Sequence, residues 1–229
     1  TFYELGHVVP GTKKTVMKGG RFLVNKRKIG VLVSGRGSNL QAIIDKIAAE
    51  SLPIEICLVI SDSPEAFALE RAAKAGITGK TILRQEFKDK ASYEAALDAA
   101  LRNAGVELVV LAGFMRILSG EFVTKWPHAI INIHPALLPS FKGLDAQGQA
   151  LQYGVKIAGC TVHFVDAGMD SGPIILQRAV PVYDEDTHDT LAARILVEEH
   201  TILPEAVKLW CEDRLSVKGP ESQDQKGIR

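Results

Sequence analysis

Two regimes of apolar and polar positions alternate along the chain. Residues 28–34 (KIGVLVS) form a short continuous apolar run, SGRGSN follows, and Leu40, Ile43, Ile44 and Ile47 then recur at helical spacing on one face. That order predicts strand, loop, amphipathic helix. Residues 54–60 read as a second buried strand, and Ser63-Pro64 opens an alanine-rich helix that stops at Gly76, a proline start and a glycine stop. Residues 81–83 form a short strand candidate, residues 92–104 a helix ended by Gly105, and residues 108–111 and 130–133 the next two strands. Beyond Pro139 the texture changes. Residues 158–165 and 174–182 are longer β-type segments on either side of the turn-rich VDAGMDSGP, and residues 187–212 read as a closing helix interrupted by Pro204.

Continuous apolar strands separated by helices imply a parallel sheet covered on both faces, because β-α-β crossovers are what bury both sides of a strand. The expected fold class is therefore α/β, a doubly wound and mostly parallel sheet with antiparallel strands added in the C-terminal half. One domain is placed at residues 28–215. Residues 1–27, with six Lys or Arg against Glu4 alone, are read as a flexible basic extension without a function, and residues 216–229 as a polar tail.

Composition narrows the function classes. The chain has 229 residues, enough for a substantial core, and 27 basic residues balance 27 acidic ones. A balanced charge gives no global attraction to nucleic acid or to an anionic membrane, so a charged partner must be read by a local site, and the expected partner is a small molecule. No run approaches the roughly 18 apolar residues that span a bilayer. Three cysteines without a CxxC pair encode neither a disulfide framework nor a cysteine zinc site, which points to the reducing cytoplasm.

Three stretches carry candidate chemistry. Gly35-Arg36-Gly37-Ser38-Asn39 joins the first strand to the first helix, where unpaired N–H groups and the helix dipole favour an anion. It lacks the Gly-Lys-Ser/Thr of a phosphate-binding P-loop and the third glycine of a dinucleotide fingerprint, so a plain turn, a monophosphate site and a dinucleotide site with Asp62 all remain open. Asn132 and His134 alternate at the end of a strand, so both point to one side, either as a structural pair or as catalytic groups at a strand edge. Asp170 sits in the glycine-bounded GMDSGP turn. His163, in TVHFV, reads as a satisfied core histidine, and no HxH or HExxH spacing turns His134, His163 and Asp170 into a metal site. Finally, Phe114-Met115-Arg116-Ile117-Leu118 sets one cation among apolar side chains, a lip suited to a flat, partly apolar anion or simply a loop with a solvated arginine.

Taken together, KIGVLVSGRGSNLQAII, LAGFMRIL, INIHPALLPSFKG, GCTVHFVDAGMDSGPIILQ and EEHTILPEAVKLW, in this order from Lys28 to Trp210, resemble the folate-dependent glycinamide ribonucleotide formyltransferases of purine biosynthesis. The resemblance implies the formyltransferase fold, 10-formyltetrahydrofolate as co-substrate and no metal. It implies small-molecule substrates without nucleic acid or membrane, a monomer or homodimer, and a cytoplasmic location. It assigns Gly37, Ser38, Asn39 and Glu199 to the ribonucleotide, and Asn132, His134 and Asp170 to catalysis. To the folate it assigns Lys90, Met115, Arg116, Ile117, Leu118 and Asn132, with the loop of Asp166, Ala167, Gly168, Met169 and Asp170. Lys90 stands where the resemblance leads one to expect an arginine, which keeps charge but loses the bidentate fork. Leu196 stands where some members carry a lysine, and LDAQGQAL is less histidine-rich than the family's usual form.

The implied reaction is direct attack of the ribonucleotide amine on the formyl carbon, with Asn132 and His134 stabilising the oxyanion and Asp170 tuning His134 and relaying a proton. The alternatives are another N10-formyltetrahydrofolate enzyme, a nicotinamide-dependent oxidoreductase, and a non-catalytic nucleotide-binding protein.

Overall fold

The computed structural model describes residues 26–217, preceded by a short antiparallel pair, Val16–Lys18 with Arg21–Leu23. The rest of the 1–27 extension and the tail from residue 218 lie outside the described residues. Seven strands form one sheet: β1 (Arg27–Val33), β2 (Ile54–Ser61), β3 (Gly79–Thr81), β4 (Leu108–Leu111), β5 (Ile130–His134), β6 (Ile157–Phe164) and β7 (Ile174–Pro181). Their spatial order is β3-β2-β1-β4-β5-β6-β7. The first five in space are parallel, whereas β6 runs antiparallel to β5 and β7 antiparallel to β6. This is the expected mixed sheet.

Side-chain alternation along the parallel strands feeds two cores. Ile29, Val31 and Val33 face one side, with Leu40 and Ile43 of α1 (Ser38–Glu50), Ala68 and Ala72 of α2 (Phe67–Lys74), and Leu191, Ile195, Leu203 and Val207 of the last helix. Leu32 and Val109 face the other, with Tyr93, Leu97 and Leu101 of α3 (Lys90–Asn103) and Phe122 of α4 (Gly120–Thr124). Ile29, Val31, Leu32 and Val33 are all fully buried, so β1 is covered from both sides, as its unbroken apolar run requires. Gly30 allows the second layer to close in: a Cβ there would lie 2.7 Å from Leu101 and 2.9 Å from Val106. A fifth helix, α5 (Ala146–Tyr153), and α6 (His188–Cys211) follow, with Pro204 buried inside α6. No helix among the described residues is long and apolar enough to cross a membrane.

Three elements depart from the sequence pattern. The helix expected from Ser63 starts at Phe67, because Ala66 is extended and the Ala68 N–H donates to Gly35 O at 3.1 Å, so docking on the glycine loop sets the start. The strand expected at residues 81–83 lies at Gly79–Thr81. The edge ladder uses polar residues there, and the buried Ile82, which drew the apolar signal, lies just past it with its N–H still on Ser61 O. The short helices α4 and α5 carry too little apolar periodicity to be read in advance, and their ends are set by side-chain caps from Ser119 and Asp145.

Because β1, β4 and β5 are parallel neighbours, their carboxyl ends and the loops leaving them share one sheet edge. The glycine loop, the Met115–Leu118 lip and the segment after His134 therefore lie side by side.

Candidate active site

The glycine loop is fixed by backbone contacts. Gly37 precedes α1 with φ 69°, in the left-handed region, and no side chain caps the helix. A Cβ at Gly37 would lie 2.5 Å from Ala68 Cβ and 2.7 Å from its Cα. Gly37→Ala is therefore expected to cost about 1–3 kcal/mol through backbone strain and overpacking, readable as a lowered urea midpoint. Arg71 Nε donates to Arg36 O at 2.9 Å, holding the loop from α2. Met115 N–H donates to Ser34 Oγ at 2.9 Å, which ties the loop to the lip.

Behind the loop, Asn39 Nδ2 donates to Glu199 Oε2 at 2.8 Å, both residues being buried. Burial pushes the Glu199 carboxyl above its ordinary range, and the Asn39 hydrogen bond opposes that shift. Two polar atoms beside them, Asn39 Oδ1 and His200 Nε2, are buried without a partner among the described residues. A cavity of about 350 Å³ lined by Ser38, Gln41, Ala42, Asp45, Arg71 and His200 opens alongside α1, and Asn39 and Glu199 are not in its lining.

The second centre is assembled across the antiparallel junction. Asn132 lies directly opposite His163 and His134 opposite Thr161, so register places the amide and both imidazoles on one face. His163 Nδ1 donates to Phe164 O at 2.9 Å, which leaves its Nε2 lone pair to accept from Asn132 Nδ2 at 3.1 Å. His163 is thus neutral in this arrangement, and burial holds its pKa below the ordinary value. The 3.7 Å approach of Asp170 Oδ1 to its Nε2 is a contact with a neutral ring. His134 Nε2 donates to Phe141 O at 2.8 Å, which turns Nδ1 toward Asp170 Oδ2 at 3.5 Å. The same carboxylate oxygen accepts from Gly143 N–H at 2.8 Å. Asp170 has φ 45°, a conformation that costs a non-glycine residue on the order of 1 kcal/mol and that here turns its carboxylate inward.

His163 has a measurable consequence for stability. A histidine whose folded pKa lies below the unfolded 6.5 contributes stability that is complete above that value and is lost as pH falls through the folded pKa. The thermal midpoint should therefore decline below about pH 6.5, and His163→Gln, which can still accept from Asn132, should flatten that limb. An unchanged limb in the variant would remove His163 as its cause.

At the lip, Met115 and Ile117 are exposed, whereas Leu118 turns inward beside Phe114 and Phe122 and anchors the segment. Arg116 Nε donates to Asp62 Oδ2 at 2.5 Å. Lys90 lies further along the same wall: its Nζ is 3.8 Å from Glu94 Oε1, and that oxygen accepts from Ser119 N–H at 2.7 Å. In the 166–170 loop, Asp166 Oδ1 accepts from Gly168 N–H at 3.0 Å and Ser171 Oγ at 2.7 Å, so its carboxylate shapes its own turn. Gly168 allows that turn, and Met169 is exposed above Gly143.

The chain matches a family model described as formyl transferase over residues 27–207. It is 42% identical over 182 residues to the phosphoribosylglycinamide formyltransferase of Bacillus subtilis, covering 80% of this chain and 93% of that protein. The chain belongs to the phosphoribosylglycinamide formyltransferase family. It is also 48% identical over 184 residues to the trifunctional purine biosynthetic protein adenosine-3 of Bos taurus, covering 80% of this chain but only 18% of that much longer relative. The solved structure of glycinamide ribonucleotide transformylase 1 from Symbiobacterium toebii superposes with a TM-score of 0.84 at 50% identity, over 88% of this chain and 95% of that one.

Within this formyltransferase frame, the structure brings Asn132, His134 and Asp170 together and sets Asn39 against Glu199. Three orienting contacts were not read from the sequence: His163 on Asn132, Phe141 O on His134, and Gly143 N–H on Asp170. The alternation of Thr161 and His163 against that of Asn132 and His134 carried a signal for the first, since two polar alternations on adjacent strands pair face to face. The other two are backbone contacts, which side-chain identity does not announce.

Proposed function

We propose that this chain transfers the formyl group of 10-formyltetrahydrofolate to the amine of glycinamide ribonucleotide. The observation that carries the reading is the convergence of an amide and an imidazole at the end of β5 with a carboxylate from the loop between β6 and β7, on the sheet that also carries the glycine loop. Gly37, Ser38 and Asn39 would receive the phosphate, and Glu199 the sugar or amine region. The unpartnered Asn39 Oδ1 and His200 Nε2 supply polar sites that a hydroxylated, phosphorylated ligand can satisfy. Met115, Arg116, Ile117 and the 166–170 loop would bracket the folate.

In the chemical step the amine nitrogen bonds to the formyl carbon and negative charge builds on the formyl oxygen. Asn132 Nδ2 has spent one N–H on His163 and has a second to donate, and protonated His134, whose Nε2–H stays on Phe141 O, would supply the other donor from Nδ1. Donors of this kind are worth about 2.7–4 kcal/mol each. Collapse breaks the bond from the formyl carbon to N10. The proton lost by the amine passes to N10 through a water held by Asp170, so no covalent enzyme intermediate is needed. Burial pushes the Cys160 thiol up to about 12, which argues against it as a nucleophile. The partners are small molecules rather than nucleic acid or membrane, and the setting is the cytoplasm, in keeping with three unpaired cysteines.

An absorbance assay for deformylated folate, run with and without glycinamide ribonucleotide, tests this directly. Product that requires the ribonucleotide supports transfer. Equal product in its absence identifies a hydrolase and overturns the assignment.

A further inference from the structure

Asp62 is a buried carboxylate that the proposed reaction does not use. It directly follows β2, its side chain is 8% exposed, and Oδ2 takes the Arg116 Nε hydrogen bond at 2.5 Å. Its other oxygen, Oδ1, is buried without a partner among the described residues, and the nearby Tyr93 hydroxyl is unpartnered as well. Arg116 is therefore the donor that offsets the Asp62 charge. Burial first, and then the charge of the neighbouring Asp62, pushes the Tyr93 hydroxyl up to about 12. The Arg116 guanidinium also stands 5.9 Å from the centre of the Tyr93 ring. The other cation assigned to the folate is similarly engaged: Lys90 faces Glu94, whose carboxylate is held by the Ser119 N–H.

We infer that Asp62 sets the selectivity of the lip for the charge of the folate tail: by neutralising Arg116 it leaves neither of the two cations assigned to the folate unpaired, so added glutamates on the co-substrate gain little affinity. This rests on the proposed folate reaction. A folate tail carries one carboxylate pair per glutamate terminus and gains one further negative charge with each added glutamate, so only an uncompensated cation distinguishes a long tail from a short one. A cation already paired must give up its internal partner first. A remaining screened surface attraction yields less than about a fivefold gain.

The test compares KM for 10-formyl folates carrying one and five glutamates, in the wild type and in Asp62→Asn, at low and high salt. The wild type should show a ratio below about fivefold with little salt dependence. Asp62→Asn, which releases Arg116, should raise the ratio to about tenfold or more at low salt, with the gain lost at high salt and kcat unchanged. A large salt-sensitive preference in the wild type overturns the inference, and so does an Asp62→Asn enzyme that turns over normally with an unchanged ratio. The wild-type comparison stands even where the variant folds poorly. Failure of the folate reaction itself shows as no product with either tail, which is distinct from product formed with the wrong ratio.

Discussion

Asp170→Asn is expected to lower kcat by about 10²–10⁴-fold, the range for losing a positioned proton-transfer group, while ribonucleotide affinity stays nearly unchanged. The substitution is close to isosteric. An asparagine oxygen can still accept the Gly143 N–H that Asp170 Oδ2 now accepts at 2.8 Å, so the turn keeps an anchor. What disappears is the negative charge 3.5 Å from His134 Nδ1, together with the basic oxygen that would pass a proton through water. The glycine loop is held separately, by Arg71 and by the Asn39 to Glu199 hydrogen bond, so it has no reason to follow the change. Steady-state rates alongside calorimetric titration of the ribonucleotide separate the two effects. Near-normal turnover in folded protein would remove Asp170 from the reaction.

Asn132→Ala and His134→Ala should each reduce kcat by about 10²–10³-fold, and the double variant should fall little further than the worse of the two. The reason is that both groups are assigned to one developing oxyanion. Once one donor is missing, the transition state no longer sits where the other can reach it fully. A double-mutant cycle measures this coupling, and a strictly multiplicative loss would mean that the two side chains serve different atoms. Asn132→Ala also leaves His163 Nε2 without the amide that now donates to it at 3.1 Å. Thermal unfolding of each variant therefore belongs beside the kinetics, so that a stability loss is not counted as catalysis.

The parallel half of the sheet is legible because burial from two sides demands unbroken apolar runs, as in β1 and β4. The glycine loop is legible because Gly37 needs both its positive φ and its missing Cβ. Asn132 and His134 could be placed on one side from alternation alone. Their meeting with Asp170, 36 residues beyond His134, came from the family resemblance, since no local pattern fixes how a turn folds back over a sheet. The paired state of the lip was also hidden. The sequence offers Asp62 to a dinucleotide site, yet the structure has it on Arg116, a contact spanning 54 residues that charge content alone cannot assign.

The pairing of β5 with β6 has a consequence for how this chain tolerates change. Slipping one strand by a single residue would send His163 to the far face and drive a core residue such as Val162 into its place, so burial of Ile133 and Val162 acts as the jig that aligns the groups proposed to react. Volume changes at those two aliphatic positions should accordingly blunt turnover before they unfold the molecule, making the least polar part of the neighbourhood a governor of its chemistry.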